Sequence, residues 1–435
     1  MWAVIMAGGK GTRLAALTKD EIPKPMIPLE GKPLLEWQIE ALRINGITEI
    51  VMVVGYLGQK IQEYFEDGSR FHVHVQYIVE KEPLGTAGAF AYLAEIIKED
   101  YFLLVFGDVF FSIDLARMER FHQEKKAKAT LFVHPNGHPF DSDLIELDSE
   151  NRVCRLDSKK NKRDYWYKNC VNAGFYILNR EILLLVNHPV KTDLEKDILI
   201  RLVEEKAAIY GYHSPEYIKD VGTVERIAQT RQDLQNGLVR KKCLSQPQRC
   251  IFLDRDGTIN CYRGLVWQEE EFELEKGVAE AIRLINESGR LGICVTNQPS
   301  VARGLCQIED IERIHKKMET LLGREGAYLD DVFFCPHHPD RGYPEENPLY
   351  KIECICRKPK TGMIDWAVEQ YHIDCKESWI IGDTTSDIQT GKNAGLHTVL
   401  LLSGEGGMDG KYSVKADLVC KNLLEAVQKI LGKRK

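Results

Sequence analysis

The chain has 435 residues, of which 44% are hydrophobic and 28% are charged, and its formal net charge is −7. This length suits two domains better than one core, and the composition is ordinary for a globular enzyme. The acidic balance argues against a nucleic-acid partner or an anionic membrane surface. No apolar run reaches the ~18 residues of a membrane span and no signal peptide precedes the first strand, so we expect a cytoplasmic protein.

Short apolar strands alternate with helical segments along the whole chain, which predicts an α/β fold with two mostly parallel sheets. The strands predicted in the first half are Trp2–Met6, Glu49–Val54, His74–Val79, Tyr101–Phe106, Ala129–His134 and Cys170–Leu178. The helices predicted there are Leu34–Asn45, Leu57–Phe65 and Thr86–Ile97.

The second half repeats this alternation. Its predicted strands are Cys250–Leu253, Leu291–Thr296, Asp331–Cys335, Ser378–Ile381 and His397–Leu401. Its predicted helices are Gly277–Ser288, Gln307–Leu322, Gly362–Tyr371 and Thr385–Ala394. A polar, basic stretch between the halves predicts a linker, so we expect domains at 1–237 and 249–435 joined by residues 238–248.

The first apolar strand runs directly into a glycine-rich loop. Gly8, Gly9 and Gly11, with Thr12, let backbone amides approach a phosphate group closely, and Arg13 follows as a fork-shaped phosphate donor. Further on, Lys24 supplies a second cation between two prolines. The loop is neither a P-loop nor a dinucleotide fingerprint, so alone it is weak support for a nucleotide site.

Further motifs follow in a fixed order: Leu84–Gly88, Gly107-Asp108, Asn172-Ala173-Gly174 and Asp220–Thr223. With the glycine-rich loop, this set resembles the sugar-1-phosphate nucleotidyltransferases over about residues 1–235. The resemblance implies a Rossmann-like, GT-A-like mixed sheet. It also implies that the loop with Arg13 holds the nucleoside triphosphate and that Lys24 binds a phosphate group. Gly85 and Thr86 would contact the base, and Asp108 and Asp220 would bind Mg²⁺. Asn172 and Gly174 would line the sugar pocket.

Two further residues are assigned to the sugar side by this resemblance. The family often carries a lysine shortly before the Asn-Ala-Gly strand; here the segment 157–162 offers three lysines, and we choose Lys159. A solvated basic loop explains that segment nearly as well. Glu195, within 193–197, matches the family's sugar-side helix, although acids in the first turn of a helix are equally natural there.

The second half carries a different site. Asp254 and Asp256 follow a buried strand on either side of one residue, so both carboxylates can face one pocket. Thr296, Lys358 and Asp383 with Asp387 follow in order, and the set resembles the haloacid-dehalogenase (HAD) phosphohydrolases over about 249–432, which implies a Rossmannoid parallel sheet. By that resemblance Asp254 attacks phosphorus and Asp256 is the acid and base. Thr296 and Lys358 hold phosphoryl oxygens, and Mg²⁺ binds Asp254, Asp383 and the carbonyl of Asp256.

One cysteine cluster stands out among the twelve cysteines. Cys335, Cys354 and Cys356 with one histidine give the donor set of a structural zinc site, which fits a chain without an export signal better than disulfides do. Spacing allows either His337 or His338, and resemblance favours His337. The second cysteine pair leads directly to Lys358, so the ion would fix the loop of the catalytic lysine.

The zinc loop resembles a subgroup that contains D-glycero-D-manno-heptose 1,7-bisphosphate 7-phosphatase and histidinol-phosphatase. In that subgroup Asn297, Arg303 and Arg357 would contact substrate. Pro299 and Thr384 depart from the pattern, which leaves the chemistry intact but weakens the substrate assignment.

The two halves together suggest one pathway, because the phosphatase product, heptose 1-phosphate, is a substrate of the transferase type. We therefore expect a GDP-heptose for bacterial surface polysaccharide such as lipopolysaccharide, with GTP favoured by resemblance to guanylyl members. One alternative is a hexose 1-phosphate transferase beside a histidinol-phosphatase-like domain. Another is a sugar-nucleotide sensor that regulates the phosphatase. The sequence allows a homo-oligomer and leaves the anomer open.

Overall fold

The computed structural model describes residues 1–9, 14, 21–342 and 345–432. Contacts divide the chain into two compact units. Unit 1 consists of 1–134, 143–158 and 171–243, and unit 2 of 135–142, 159–170 and 244–435. Two segments of the N-terminal sequence therefore belong to the unit that contains the C-terminal sequence.

Unit 1 is built on a mixed sheet. The strands are β1 Trp2–Met6, β2 Pro28–Leu29, β3 Lys32–Pro33, β4 Glu49–Val54, β5 His74–Val79, β6 Tyr101–Phe106, β7 Val109–Ser112, β8 Ala129–His134, β9 Leu144–Leu147, β10 Val153–Asp157, β11 Val171–Asn179, β12 Ile209–His213 and β13 Tyr217–Asp220. The α-helices are α1 Leu34–Ile44, α2 Gly58–Phe65, α3 Phe90–Ile96, α4 Leu115–Glu124, α5 Ile200–Glu204, α6 Val224–Gln235 and α7 Leu238–Lys241, and Leu194–Leu199 is a π-helix.

The strand order of the main sheet determines which strand ends lie together at a possible ligand site. It runs β10-β9-β11-β6-β1-β4-β5, with β8 on β11 and β12 on β8. Strands β6, β1, β4 and β5 are parallel, and β1, β4 and β6 are apolar along nearly their whole length because helices cover both faces. Their carboxyl ends therefore share one edge of the sheet, where Gly8, Gly55, Glu80 and Gly107 follow them.

Unit 2 contains a six-stranded, all-parallel sheet. Its strands are β14 Cys250–Leu253, β15 Leu291–Asn297, β16 Asp331–Cys335, β17 Trp379–Gly382, β18 His397–Leu401 and β19 Leu418–Cys420. Its α-helices are α8 Val278–Ser288, α9 Ile308–Arg324, α10 Gly362–Tyr371, α11 Thr385–Ala394 and α12 Leu423–Ile430. The order β16-β15-β14-β17-β18-β19 reverses direction at β14, so the crevice for a ligand lies beyond the ends of β14, β15 and β17.

The segment 159–170 is integrated into unit 2 through α9. Thr320 Oγ1 accepts from the Tyr167 N–H at 3.0 Å and donates to the Tyr167 carbonyl at 3.1 Å. Glu319 accepts from the Asn169 N–H at 2.5 Å, and burial raises the pKa of Glu319 to about 7. These buried backbone contacts satisfy polar groups of α9, so the segment is part of this unit's packing.

Among the described helices, none combines the length and the apolar character needed to cross a membrane.

Candidate active sites

Three carboxylates converge at the edge of the sheet in unit 2. Oxygens of Asp254, after β14, and of Asp383 and Asp387, after β17, lie within 4.8 Å of one another, and all three residues are buried. Burial raises the pKa of Asp254 to about 6, and burial with the charges of Asp254 and Asp387 raises the pKa of Asp383 to about 8. The site therefore holds more negative charge than the protein itself neutralises.

Lys358 is the cation inside this cluster. Its Nζ lies 2.8 Å from Asp254 Oδ1 and 2.5 Å from Asp387 Oδ1. Burial opposes a charged lysine, but the two carboxylates together raise the pKa of Lys358 above its ordinary value. One ammonium cannot balance three carboxylates, and Asp383 Oδ1 is buried without a hydrogen-bond partner among the described residues. A divalent cation with oxygen preference fits this remaining charge.

The surrounding backbone leaves room only for glycine beside Asp383. Gly257 and Gly404 both have positive φ, and a Cβ on either would collide with the Asp383 carboxylate. The Glu405 N–H donates to Asp383 Oδ2 at 2.7 Å. One carboxylate oxygen is thus held by the protein while the other is left for a ligand.

Asp256 is held by side chains that sequence reasoning overlooked. The fully buried Arg255 donates from Nη2 to both carboxylate oxygens at 3.0 Å, Gln298 donates at 2.8 Å and Asn260 at 3.1 Å. Gln298 also donates to Thr296 Oγ1 at 3.0 Å. The signal available in the sequence was position: Arg255 stands between the two aspartates, and Gln298 follows the strand that ends at Thr296-Asn297.

The predicted substrate residues of unit 2 take different roles in the structure. The side-chain amide of Asn297 binds the backbone of Lys358: it donates to the Lys358 carbonyl at 3.2 Å and accepts from the Lys358 N–H at 3.0 Å. Arg357 Nη1 donates to the His337 carbonyl at 3.1 Å. Burial and the positive charges of Arg357 and Arg303 lower the pKa of His338 to about 4. Both guanidinium groups therefore act on the surroundings of His338.

The cysteine cluster closes on His337 rather than His338. Ligand atoms of Cys335, His337, Cys354 and Cys356 lie within 4.8 Å of one another. The three sulfur–sulfur distances are 3.2, 3.3 and 3.6 Å. A tetrahedral ion with sulfur at about 2.3 Å requires sulfurs roughly 3.8 Å apart, so the cluster is close to that geometry. His338 instead accepts from the Asp340 N–H at 3.1 Å.

In unit 1, the two acidic residues predicted to bind a metal lie at neighbouring strand ends. Asp108 precedes β7 and Asp220 ends β13, and the Val221 N–H donates to the Asp108 carbonyl at 2.9 Å. The Lys24 ammonium pairs with Asp108, while Arg226 Nη1 lies 2.6 Å from Asp220. Asp220 Oδ1 is buried and has no hydrogen-bond partner within the described ranges, which suits a metal ligand.

The residues predicted for the sugar also come together in part. Asn172 donates to Glu195 Oε1 at 2.6 Å and to the Tyr176 hydroxyl at 2.9 Å, and that hydroxyl donates to Glu195 at 2.7 Å. Burial raises the pKa of Glu195. Gly174 has a φ of +68° and packs on the ring of Phe106, where no Cβ would fit. Tyr176 was missed because a tyrosine inside an apolar strand is typical of a core residue.

The motif Leu84–Gly88, which was predicted to contact the base, pairs with the segment that precedes Glu195. Gly85 pairs with Thr192, and Thr86 Oγ1 accepts from the Leu194 N–H at 2.7 Å. Gly8 and Gly9 lie at the end of β1, whereas Gly11, Thr12 and Arg13 lie outside the described residues. Lys159 belongs to unit 2, where its Nζ lies 3.8 Å from Asp141.

Comparison with known proteins assigns both halves. Residues 2–237 match the family model described as nucleotidyl transferase. The chain belongs to the nucleotidyl transferase family. Residues 355–426 match a second model, described as HAD-hydrolase-like.

Curated relatives match each half over nearly their whole length. The D-glycero-α-D-manno-heptose 1-phosphate guanylyltransferase of Aneurinibacillus thermoaerophilus is 31% identical over 54% of this chain and 99% of its own. The D-glycero-β-D-manno-heptose-1,7-bisphosphate 7-phosphatase of Haemophilus ducreyi is 34% identical over 41% of this chain and 97% of its own. The α-anomer 7-phosphatase of Burkholderia mallei is 36% identical over 42% and 94%.

These matches make the chain an enzyme with a nucleotidyl transferase half and a HAD-like phosphomonoesterase half. The two resemblances inferred from sequence motifs are thereby confirmed. Both families generally use Mg²⁺, and the carboxylate pair Asp108 and Asp220 and the cluster around Asp254 offer oxygen ligands of the kind that ion prefers.

Proposed function

We propose that the chain makes a GDP-heptose in two consecutive steps. The HAD-like half removes the 7-phosphate of D-glycero-α-D-manno-heptose 1,7-bisphosphate, and the nucleotidyl transferase half joins the resulting 1-phosphate to GMP from GTP. The observation that carries this proposal is the pair of relatives, because the reaction named for one relative yields the substrate named for the other. The α anomer follows from the guanylyltransferase relative, which is named for it.

In the phosphatase step, Asp254 is the nucleophile. One of its carboxylate oxygens attacks phosphorus, the bond from phosphorus to the sugar oxygen breaks, and Asp256 gives that oxygen its proton. Asp256 then takes a proton from water, which attacks the aspartyl-phosphate and releases phosphate. The bidentate contact from Arg255 and the bond from Gln298 support this role, because they fix the orientation of Asp256.

The phosphoryl oxygens need donors close to Asp254. Lys358, 2.8 Å from Asp254, and Thr296, which Gln298 holds, supply them. Asp254, Asp383 and the main-chain carbonyl of Asp256 are the proposed Mg²⁺ ligands, and the ion would neutralise charge on the phosphoryl group. We propose that Arg303 and Arg357 contact the distal part of the substrate, because the positive charges of both side chains act on the surroundings of His338.

In the transferase step, the sugar phosphate attacks the α-phosphorus of GTP in line and pyrophosphate leaves, so the protein mainly positions anions. Gly8, Gly9, Gly11, Thr12 and Arg13 are proposed to surround the triphosphate, and Lys24, paired with Asp108, to meet a phosphate. Asp108 and Asp220 are the proposed Mg²⁺ ligands, which would lower the charge at the reacting phosphate.

The sugar pocket is proposed to lie at the cluster of Asn172, Gly174 and Glu195, where a buried carboxylate and an amide can bind hydroxyl groups. Gly85 and Thr86 are proposed to face the base. Lys159 remains a proposal for the sugar phosphate that rests on the family pattern alone.

The cluster of Cys335, His337, Cys354 and Cys356 is proposed to bind a structural zinc ion. Its donor set is that of closed zinc sites, and Cys356 precedes the catalytic lysine by two residues. No cysteine among the described residues forms a disulfide, which with consumption of a nucleoside triphosphate supports a reducing, cytoplasmic location. We propose 1–237 and 249–435 as the two catalytic domains, with 238–248 between them.

The test is a product analysis with the whole chain. The protein is incubated with Mg²⁺, the separate α and β anomers of heptose 1,7-bisphosphate, and each nucleoside triphosphate in turn, and mass spectrometry identifies the products. GDP-heptose from the α anomer alone supports the full proposal. Free phosphate without an activated sugar contradicts the heptose role of the transferase half, and mannose 1-phosphate is then its next substrate to try. Intact bisphosphate contradicts the phosphatase role, and histidinol phosphate is tested next.

A further inference from the structure

One buried histidine of unit 2 has no part in the chemistry described so far. His315 stands on α9 between Ile311 and Met318, which are apolar and fully buried. Its ring packs edge-on against Phe334 of β16, with the two ring centroids 5.2 Å apart. A polar side chain therefore occupies a position of α9 that otherwise faces the hydrophobic core.

The imidazole of His315 meets the guanidinium of Arg255. Arg255 Nη1 lies 3.4 Å from His315 Nε2 and has no other hydrogen-bond partner within the described ranges. A guanidinium only donates hydrogen bonds, so Nε2 is the acceptor and the imidazole is neutral. Burial and the positive charges of Arg255 and Lys168 favour the same state, because they lower the pKa of His315 well below its ordinary value.

Three acceptors define the plane of the Arg255 guanidinium. Nη2 donates to the Val266 carbonyl at 2.8 Å and to the Asp256 carboxylate at 3.0 Å, while Nη1 donates to His315. Because the guanidinium is planar and rigid, acceptors at its two ends also fix the donors that it presents to Asp256. Without His315, Nη1 would be buried without an acceptor, which is unfavourable, and the group could turn towards another one.

We infer that His315 is a positioning residue for the phosphatase step, which aligns the acid Asp256 by holding Arg255. This inference rests on the proposed role of Asp256. In that step the bond from phosphorus to the sugar oxygen breaks, its electron pair stays on that oxygen, and the proton of Asp256 moves to it. A carboxyl group that is turned away transfers this proton less efficiently, whereas the attack by Asp254 is unaffected.

The leaving group separates this role from a purely structural one. A sugar alkoxide is a poor leaving group and needs the proton, whereas 4-nitrophenolate is stable enough to leave without one. The ratio kcat/KM covers the steps up to the aspartyl-phosphate, so it reports Asp256 as acid and not as the later base. Because one protein sample hydrolyses both esters, the comparison does not depend on the folded fraction.

The test measures kcat/KM for heptose 1,7-bisphosphate and for 4-nitrophenyl phosphate, with the whole chain and saturating Mg²⁺. His315→Leu removes the acceptor and keeps the site filled, and His315→Phe does the same with a ring if the leucine variant does not fold. His315→Gln keeps a carbonyl oxygen that can accept from Arg255. Met318→Ala is the matched control, because it opens a cavity in the same core and leaves His315 in place.

In His315→Leu we expect kcat/KM for the bisphosphate to fall by about 10-fold, which is part of the roughly 100- to 10,000-fold that a general acid supplies. The value for 4-nitrophenyl phosphate should fall by less than about 3-fold, because that ester does not need the acid. His315→Gln should keep the parent's ratio of the two values, and Met318→Ala should change both values alike.

Equal losses for the two esters in His315→Leu overturn the inference, because they assign His315 to packing alone. It is also overturned if the ratio shifts as much in Met318→Ala or His315→Gln as in His315→Leu. Failure of the proposed function looks different, since the parent protein itself then leaves the bisphosphate intact. Histidinol phosphate, which is also an alkyl ester, then replaces the bisphosphate in the same comparison.

Discussion

Replacing Asp383 by asparagine should stabilise the magnesium-free protein while it abolishes the phosphatase. The pKa of Asp383 lies near 8, against an ordinary value of 3.8, because the carboxyl is buried beside Asp254 and Asp387. Keeping this group protonated at pH 7 costs about 4 kcal/mol relative to an exposed aspartate. The amide is neutral. Its oxygen can keep the bond from the Glu405 N–H, and its NH₂ can take the place of the unpaired oxygen.

The direction of the pKa shift of Asp383 determines how the stability gain of Asp383→Asn changes with pH. The folded-state pKa lies above the unfolded one, so the stability penalty of this group is absent below pH 3.8 and grows as pH rises towards 8. The gain from Asp383→Asn should therefore shrink from about 4 kcal/mol at pH 7 to about 2 kcal/mol at pH 5. In the parent, added Mg²⁺ should stabilise more at pH 7 than at pH 5, and in the variant it should have little effect.

The assay is urea unfolding in magnesium-free buffer at both pH values, without a chelator so that a thiolate-bound metal stays in place. Asp417→Asn is the matched control. Lys392 lies 2.5 Å from Asp417 and, with Thr398, lowers the pKa of Asp417 against the opposing effect of burial, so this change should destabilise. The reasoning is refuted if Asp383→Asn is no more stable than the parent at pH 7, or if its gain does not change with pH.

Three further outcomes follow from the sites. Asp108→Asn should lower nucleotide transfer by about 100-fold or more and leave phosphate release unchanged, since the change affects the partner of Lys24 and a proposed Mg²⁺ ligand in one half only; loss of both activities in coupled assays would contradict this. Tyr176→Phe removes a 2.7 Å bond to Glu195 and should raise the KM for sugar phosphate about 10-fold with little change for GTP; equal changes in both KM values would argue against a sugar role. If the proposed zinc ion is bound, Cys356→Ser should release it, measured by mass spectrometry of the ion, and lower the midpoint of thermal unfolding by several degrees, whereas the exposed Cys154→Ser should do neither.

Much of the fold was predictable because the central strands are buried on both faces. Trp2–Met6, Ile50–Val54 and Cys250–Leu253 are continuous apolar runs, and the strands that contain them have the predicted bounds. The helix predicted at Thr86–Ile97 begins only at Phe90. Its first residues serve tertiary contacts instead, since Thr86 Oγ1 accepts from the Leu194 N–H and Gly88 packs on the Val190 carbonyl. Local pattern cannot reveal such a partner, which lies about a hundred residues away.

The candidate sites show the same limit. Aspartates at the ends of strands were identifiable, because their spacing after apolar runs is a local signal. The groups that orient them were harder to find: Arg255 and Gln298 act through side-chain direction, which composition and spacing do not encode. Lys159 was chosen by family pattern among three lysines, and it stays a prediction; its segment belongs to unit 2.

The passage of the segments 135–142 and 159–170 into unit 2 bears on how this enzyme can be divided. The chain leaves and re-enters each unit before the final crossing after Cys243, so no single cut yields two complete pieces. A fragment that begins at Leu244 would leave Glu319 and Thr320 without their backbone partners. A version of the second half that keeps this packing therefore needs the segment 159–170 as well as residues 244–435.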